Sequence, residues 1–142
     1  MRRPRAHSTA ALVACLLLAT TTARGQSTPL AEQLGQGRVV LREIRFLPGS
    51  DRIEESSATV LSELAHALVA NSGVFLIEAH TNATSDAAAE QLLSEQRAVA
   101  VKARLVSEGV AAGRLLAVGY GASRPERAHG RHNARIEVTR VQ

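Results

Sequence analysis

AHTNATSDAAAEQLLSEQRA, residues Ala79 to Ala98, joins the end of an apolar run to a short polar loop and then to a helix. From Asp86 to Glu108 the spacing is helical, and Leu93, Ala98, Val101 and Leu105 fall on one side of the predicted helix. Arg97 lies inside that arc, four residues from Leu93 and four from Val101, so it shares the apolar face. An uncompensated charge is costly near a core, so the guanidinium needs a partner. An internal carboxylate such as Glu90, a snorkelling side chain and a ligand anion would each satisfy it.

Working outward, Val74 to Ala79 (VFLIEA) is a nearly unbroken apolar run, as expected of an interior strand covered on both faces. It delivers His80, Thr81 and Asn82 at its carboxyl end, and Ser85 and Asp86 are candidate caps for the helix that follows. Downstream, Leu115 to Gly121 (LLAVGYG) predicts a strand closed by a loop through Pro125 and Gly130. Ala134 to Val141 (ARIEVTRV) alternates Ile136 and Val138 with Arg135 and Glu137, a strand with one wet face. Upstream, Glu54 to Asn71 has helical spacing through Leu61, Leu64, Ala65 and Leu68, with Asn71-Ser72-Gly73 as a stop. Val39 to Phe46 (VVLREIRF) predicts a strand with Arg42 and Arg45 exposed, ended by Pro48-Gly49. The order β-α-β-α-β-β implies an α/β (α+β) domain: a mixed four-stranded sheet with its helices on one face. In such sheets ligands sit beyond the carboxyl ends of strands and beside helix N-termini, which is where residues 80–86 fall.

A chain of 142 residues is one domain's length. Its formal charge of +4 suggests nucleic acid, yet four of its 17 basic residues, Arg2, Arg3, Arg5 and Arg24, lie in the first 25, leaving 13 against 13 acids. A neutral body with only Phe46, Phe75 and Tyr120 as aromatics offers no nucleic-acid surface. Residues 1–25 read as a signal peptide, with an Arg-rich start, an apolar run from Ala10 to Ala19 and cleavage before Gln26. Cys15 ends a sequence resembling a lipobox, so lipidation there is the alternative to removal of the whole leader. Residues 26–38, broken by Pro29, Gly35 and Gly37, read as a linker or flexible tail, and 39–142 as the folded domain.

Across residues 39–142 the chain resembles the OmpA C-terminal-like family of peptidoglycan-binding domains, which includes the Pal lipoproteins and the flagellar stator protein. The resemblance rests on His80-Thr81, on Leu93-Ser94-Glu95-Gln96-Arg97-Ala98, on Gly119-Tyr120-Gly121, on Pro125 and on Asn133-Ala134-Arg135-Ile136-Glu137. It implies that Arg97 grips the carboxylate of diaminopimelate in the peptidoglycan stem peptide, a task suited to a planar fork of donors. Thr81, Asn82, Asp86 and Glu90 would line the same pocket, with Asn133 and Arg135 contributed by the end motif. The resemblance further implies a periplasmic protein associated with the outer membrane of a Gram-negative cell, with peptidoglycan and envelope proteins as partners and no cofactor.

Three positions depart from the family pattern. Asn82 replaces an aspartate expected to take the ligand ammonium, Ser85 replaces a loop glycine, and Glu90 replaces an asparagine. Exchanging a charged acceptor for a neutral one costs a factor on the order of ten in affinity. Either the acid has moved, with Glu90 two turns before Arg97 and Asp86 nearby, or Glu90 pairs with Arg97 and closes the site. In the second case the fold would serve as a periplasmic protein-interaction module. Catalysis is not expected: Ser94 has no histidine nearby in sequence, and His129 and His132 lack further ligands for a metal.

Overall fold

A computed structural model describes residues 29–127 and 132–141. The signal peptide, Cys15, the start of the 26–38 segment and His129 lie outside the described residues. Helix α1 (Leu30–Gly35) leads into strand β1 (Arg38–Leu41); a 3-10 turn (Glu55–Ser57) opens helix α2 (Ala58–Ala70); then come β2 (Val74–His80), α3 (Ala87–Ser107), β3 (Leu115–Gly119) and β4 (Arg135–Val141). The sheet order is β1-β4-β2-β3. Strands β2 and β3 run parallel across the α3 crossover, and β4 is antiparallel to both its neighbours. The expected mixed four-stranded sheet is the observed one, and its last strand is central.

The apolar side of β2 has its reason in its place beside the helices. Phe75, Ile77 and Ala79 face the helices at 0, 0 and 1% exposure and pack with Leu61, Leu64, Leu68, Val101 and Leu105. On β4, Ile136 and Val138 join them. The other face of β4 departs from expectation: Arg135 and Glu137 are not wet but buried, at 7 and 4% exposure. The register explains why, because Glu137 lies opposite Glu78 and Arg135 opposite His80, deep within the sheet. Like charges facing each other across strands are unfavourable. Here Arg135 and Arg38 pair with Glu137, while Arg124 and the Thr139 hydroxyl reach Glu78.

Two boundaries are corrected. Strand β1 stops at Leu41 instead of running to Phe46, because the chain leaves the sheet and folds back on itself: Phe46 bridges Ile53, and the Leu47 N–H donates to the Arg52 carbonyl at 2.9 Å around Gly49 (φ +63°). The segment read as linker or tail contains α1, whose Leu34 is fully buried, and Asn71 Nδ2 donates to the Ala31 carbonyl at 2.9 Å. Leu34→Ala should therefore cost about 2–4 kcal/mol in a urea melt, the range for emptying a core leucine site, whereas a tail residue would cost nothing measurable.

Helix α3 is set by its cap and by its seating on β3. Asp86 Oδ1 accepts from the Ala89 N–H at 2.9 Å, as its position before an apolar run predicts. Ser94, fully buried, donates to the Gln91 carbonyl at 2.7 Å and accepts from the Gly121 N–H at 2.8 Å. Gln91 Nε2 donates to the Gly119 carbonyl at 2.8 Å. No described helix is long and apolar enough to cross a membrane.

Candidate binding site around Arg97

This seating leaves Arg97 half-buried where α3 meets the loop after β1. Its Nε donates to the Ser50 carbonyl at 2.9 Å, and its guanidinium lies 4.8 Å from the centre of the Phe46 ring. Among the described residues no carboxylate comes within ion-pair distance of it, so the Glu90–Arg97 pair that would close the site is not formed. Burial lowers the Arg97 pKa from its ordinary value, while Glu90 and Asp51 act through space in the opposite direction. The group stays cationic at neutral pH.

A cavity of about 330 Å³ opens beside it, lined by Arg42, Ile44, Arg45, Phe46, Glu54, His80, Arg97, Ala134, Arg135 and Ile136. A larger groove of about 450 Å³ between α1, β1 and α2 contains no arginine. A cavity lined by four guanidinium groups and one carboxylate suits a small anionic or zwitterionic ligand.

Of the residues expected at the site, Arg97 and Arg135 line this cavity. Arg135 is engaged internally: Nε donates to Glu137 at 2.6 Å and Nη1 to Asn133 Oδ1 at 2.6 Å. Thr81, Asn82 and Asn133 are brought together next to it as a clip. Asn82 Oδ1 accepts from the backbone N–H groups of Asn133 and Ala134 at 2.7 and 2.9 Å, and Asn133 Nδ2 donates to the Thr81 carbonyl at 2.8 Å. Asp86 and Glu90 stand at the start of α3, outside the lining. The loop after β1 contributes Arg42, Arg45, Phe46 and Glu54, none of them among the residues expected at the site. Arg42 and Arg45 read as the exposed face of a strand, and only the early end of β1 turns them toward Arg97.

His80 connects the cavity to the charged face of the sheet. It is 4% exposed, stacks on Tyr120 at 5.5 Å, and has Nε2 3.7 Å from Glu137, while neither ring nitrogen hydrogen-bonds to a described residue. Burial, then the Arg135 charge, drive its pKa down from 6.5 to about 4, against the pull of Glu137. Burial pushes Glu137 up, but the hydrogen bond and charge of Arg135, with Arg38 and His80, leave it below the usual carboxylate value. Below pH 6.5 the unfolded chain binds a proton at His80 that the native protein refuses down to about pH 4, so stability falls as pH drops through that window. Urea melts should show a loss of about 2 kcal/mol between pH 7 and pH 5 that His80→Gln removes. The depressed Glu137 contributes stability that disappears only at lower pH, as its carboxylate is protonated.

Comparison with known proteins gives this geometry a context. The OmpA family profile matches residues 45–139. Outer membrane porin F of Pseudomonas aeruginosa is 38% identical over 103 residues, covering 68% of this chain and 29% of that protein; porin F of Pseudomonas fluorescens is 41% identical over 66 residues, covering 46% and 20%. The chain thus spans less than a third of the length of these relatives. Among solved structures, an outer membrane protein from Borrelia burgdorferi aligns with TM-score 0.59 at 25% identity, over 74% of this chain and 87% of that one. The periplasmic domain of Helicobacter pylori MotB aligns with TM-score 0.62 at 18% identity, over 72% of each. The peptidoglycan-associated lipoprotein of Burkholderia pseudomallei aligns with TM-score 0.59 at 21% identity, over 75% and 91%.

Proposed function

The chain belongs to the OmpA family, and from that premise we propose that it binds peptidoglycan noncovalently in the periplasm, holding a carboxylate of the diaminopimelate-containing stem peptide on Arg97. The observation that carries this reading is the state of Arg97: half-buried, without a carboxylate partner among the described residues, and facing a cavity of ligand size. A half-buried guanidinium that spends only its Nε on the protein keeps the paired donors of its planar fork for a carboxylate. The relative named a peptidoglycan-associated lipoprotein supports the same ligand class. Binding needs no chemical step, and the protein acts as an envelope attachment module after export by its leader.

Asn82 fits this reading in a particular way. Its carbonyl oxygen is consumed by two backbone donors, so it holds the end motif in place and leaves the ligand ammonium to another group. The test is co-sedimentation of the purified mature protein with sacculi from a diaminopimelate-type wall. Saturable retention, displaced by soluble muropeptides, is the expected result; a protein left wholly in the supernatant would instead mark the domain as a protein-interaction module that has kept the fold alone.

A further inference from the structure

The four arginines of the cavity fall into two kinds. Arg42 is paired with Glu126 and also donates to the His132 carbonyl, and Arg135 is paired with Glu137. Among the described residues Arg97 and Arg45 have no ion pair: Arg97 donates to a backbone carbonyl, and the exposed Arg45 side chain has no polar partner there. The one carboxylate in the lining is Glu54, whose Oε2 accepts from the Ser56 hydroxyl at 3.2 Å. Two unneutralised guanidinium groups sharing one cavity repel each other, and a ligand with a single carboxylate would leave one of them unmatched.

Resting on the peptidoglycan reading above, we infer that the cavity takes a ligand end bearing two carboxylates and one ammonium, with Arg97 and Arg45 receiving the carboxylates and Glu54 the ammonium. A stem peptide that terminates in diaminopimelate has this charge set: a carboxyl and an amine at the free end of its side chain, and a second carboxyl at the peptide terminus. Extension by alanine turns the terminal carboxylate into an amide and removes the group meant for Arg45. Cross-linking acylates the amine and removes the group meant for Glu54. The domain is thus selective for trimmed, uncross-linked tripeptide stems. Arg45 acts as the specificity-determining residue, and only its backbone, bonded to Ser57 and Glu54, takes part in holding the fold.

The experiment is calorimetric titration of the mature protein with two soluble muropeptides, the disaccharide tripeptide and the disaccharide tetrapeptide, for wild type, Arg45→Gln and Glu54→Gln. Wild type should bind the tripeptide about 10-fold more tightly, the worth of one charge-assisted contact. Arg45→Gln should erase that preference by weakening the tripeptide alone, and Glu54→Gln should weaken both ligands by about 10-fold. Circular dichroism of each variant verifies its fold, and Arg45, being exposed, is expected to leave it intact. Equal affinities in wild type, or an Arg45→Gln loss common to both ligands, overturns the inference while leaving wall binding in place. If wild type binds neither muropeptide and no sacculi, the peptidoglycan reading falls and takes this inference with it.

Discussion

Arg97→Ala should abolish retention on sacculi while the domain stays folded. The side chain is held by one hydrogen bond to the Ser50 carbonyl and by its position over Phe46, so truncation should lower stability by only about 1 kcal/mol. Its effect on binding is larger, because a bidentate guanidinium–carboxylate contact in a partly desolvated cavity contributes about 3 kcal/mol, on the order of 100-fold in affinity. Arg97→Lys keeps the charge and loses the planar fork, and should recover no more than about a tenth of wild-type affinity. A co-sedimentation isotherm beside a urea melt separates the two quantities. If Arg97→Ala sediments as wild type does, the ligand lies elsewhere and this cavity is not the site.

The second large effect is on folding. Gly119→Ala should destabilise the domain by at least about 3 kcal/mol, and its Tm should fall by roughly 10 °C or more. A methyl group on Gly119 would meet the Glu95 amide nitrogen, the Ser94 hydroxyl and, at 2.5 Å, the Ser94 carbonyl carbon, which are chiefly backbone atoms of α3. These cannot yield without breaking the Ser94–Gly121 and Gln91–Gly119 hydrogen bonds that seat the helix on β3. Gly113→Ala is the control: nothing lies within 4 Å of its added carbon, so it should stay within about 0.5 kcal/mol of wild type. Equal melts for the two variants would mean that α3 and β3 are farther apart than this contact requires. Because Arg97 rides on the same helix, any loss of seating also displaces the guanidinium from the cavity.

These two expectations differ in how readable they were. The arginine on an apolar helical face is visible as a pattern, since 3.6-residue periodicity assigns each side chain to a face before any partner is known. The helix also announces its cap at Asp86. The close approach at Gly119 is not visible, because a glycine in a strand can mark a bulge, a weak point or a contact, and only the packed helix says which. Helix α1 was hidden for a related reason: its six residues, Leu30–Gly35, are too few to show a period, and its one buried side chain, Leu34, lies where α1 packs on α2 far along the chain.

What the amino-acid sequence determined by itself was the type of the larger elements and the core-facing side of the two long helices. Apolar runs made β2 and β3 strands, periodicity made α2 and α3 helices, and Arg97 was already placed on the inner side of its helix. What only the tertiary structure decided was which charges meet. The position of β4 between β1 and β2 buried Arg135 and Glu137 and lowered the pKa of His80, and the early departure of the chain from β1 brought Arg45, Phe46 and Glu54 to Arg97. The physical reason is range. Local spacing fixes side-chain direction within an element, whereas desolvation and Coulomb energies depend on neighbours that only strand order and register bring together.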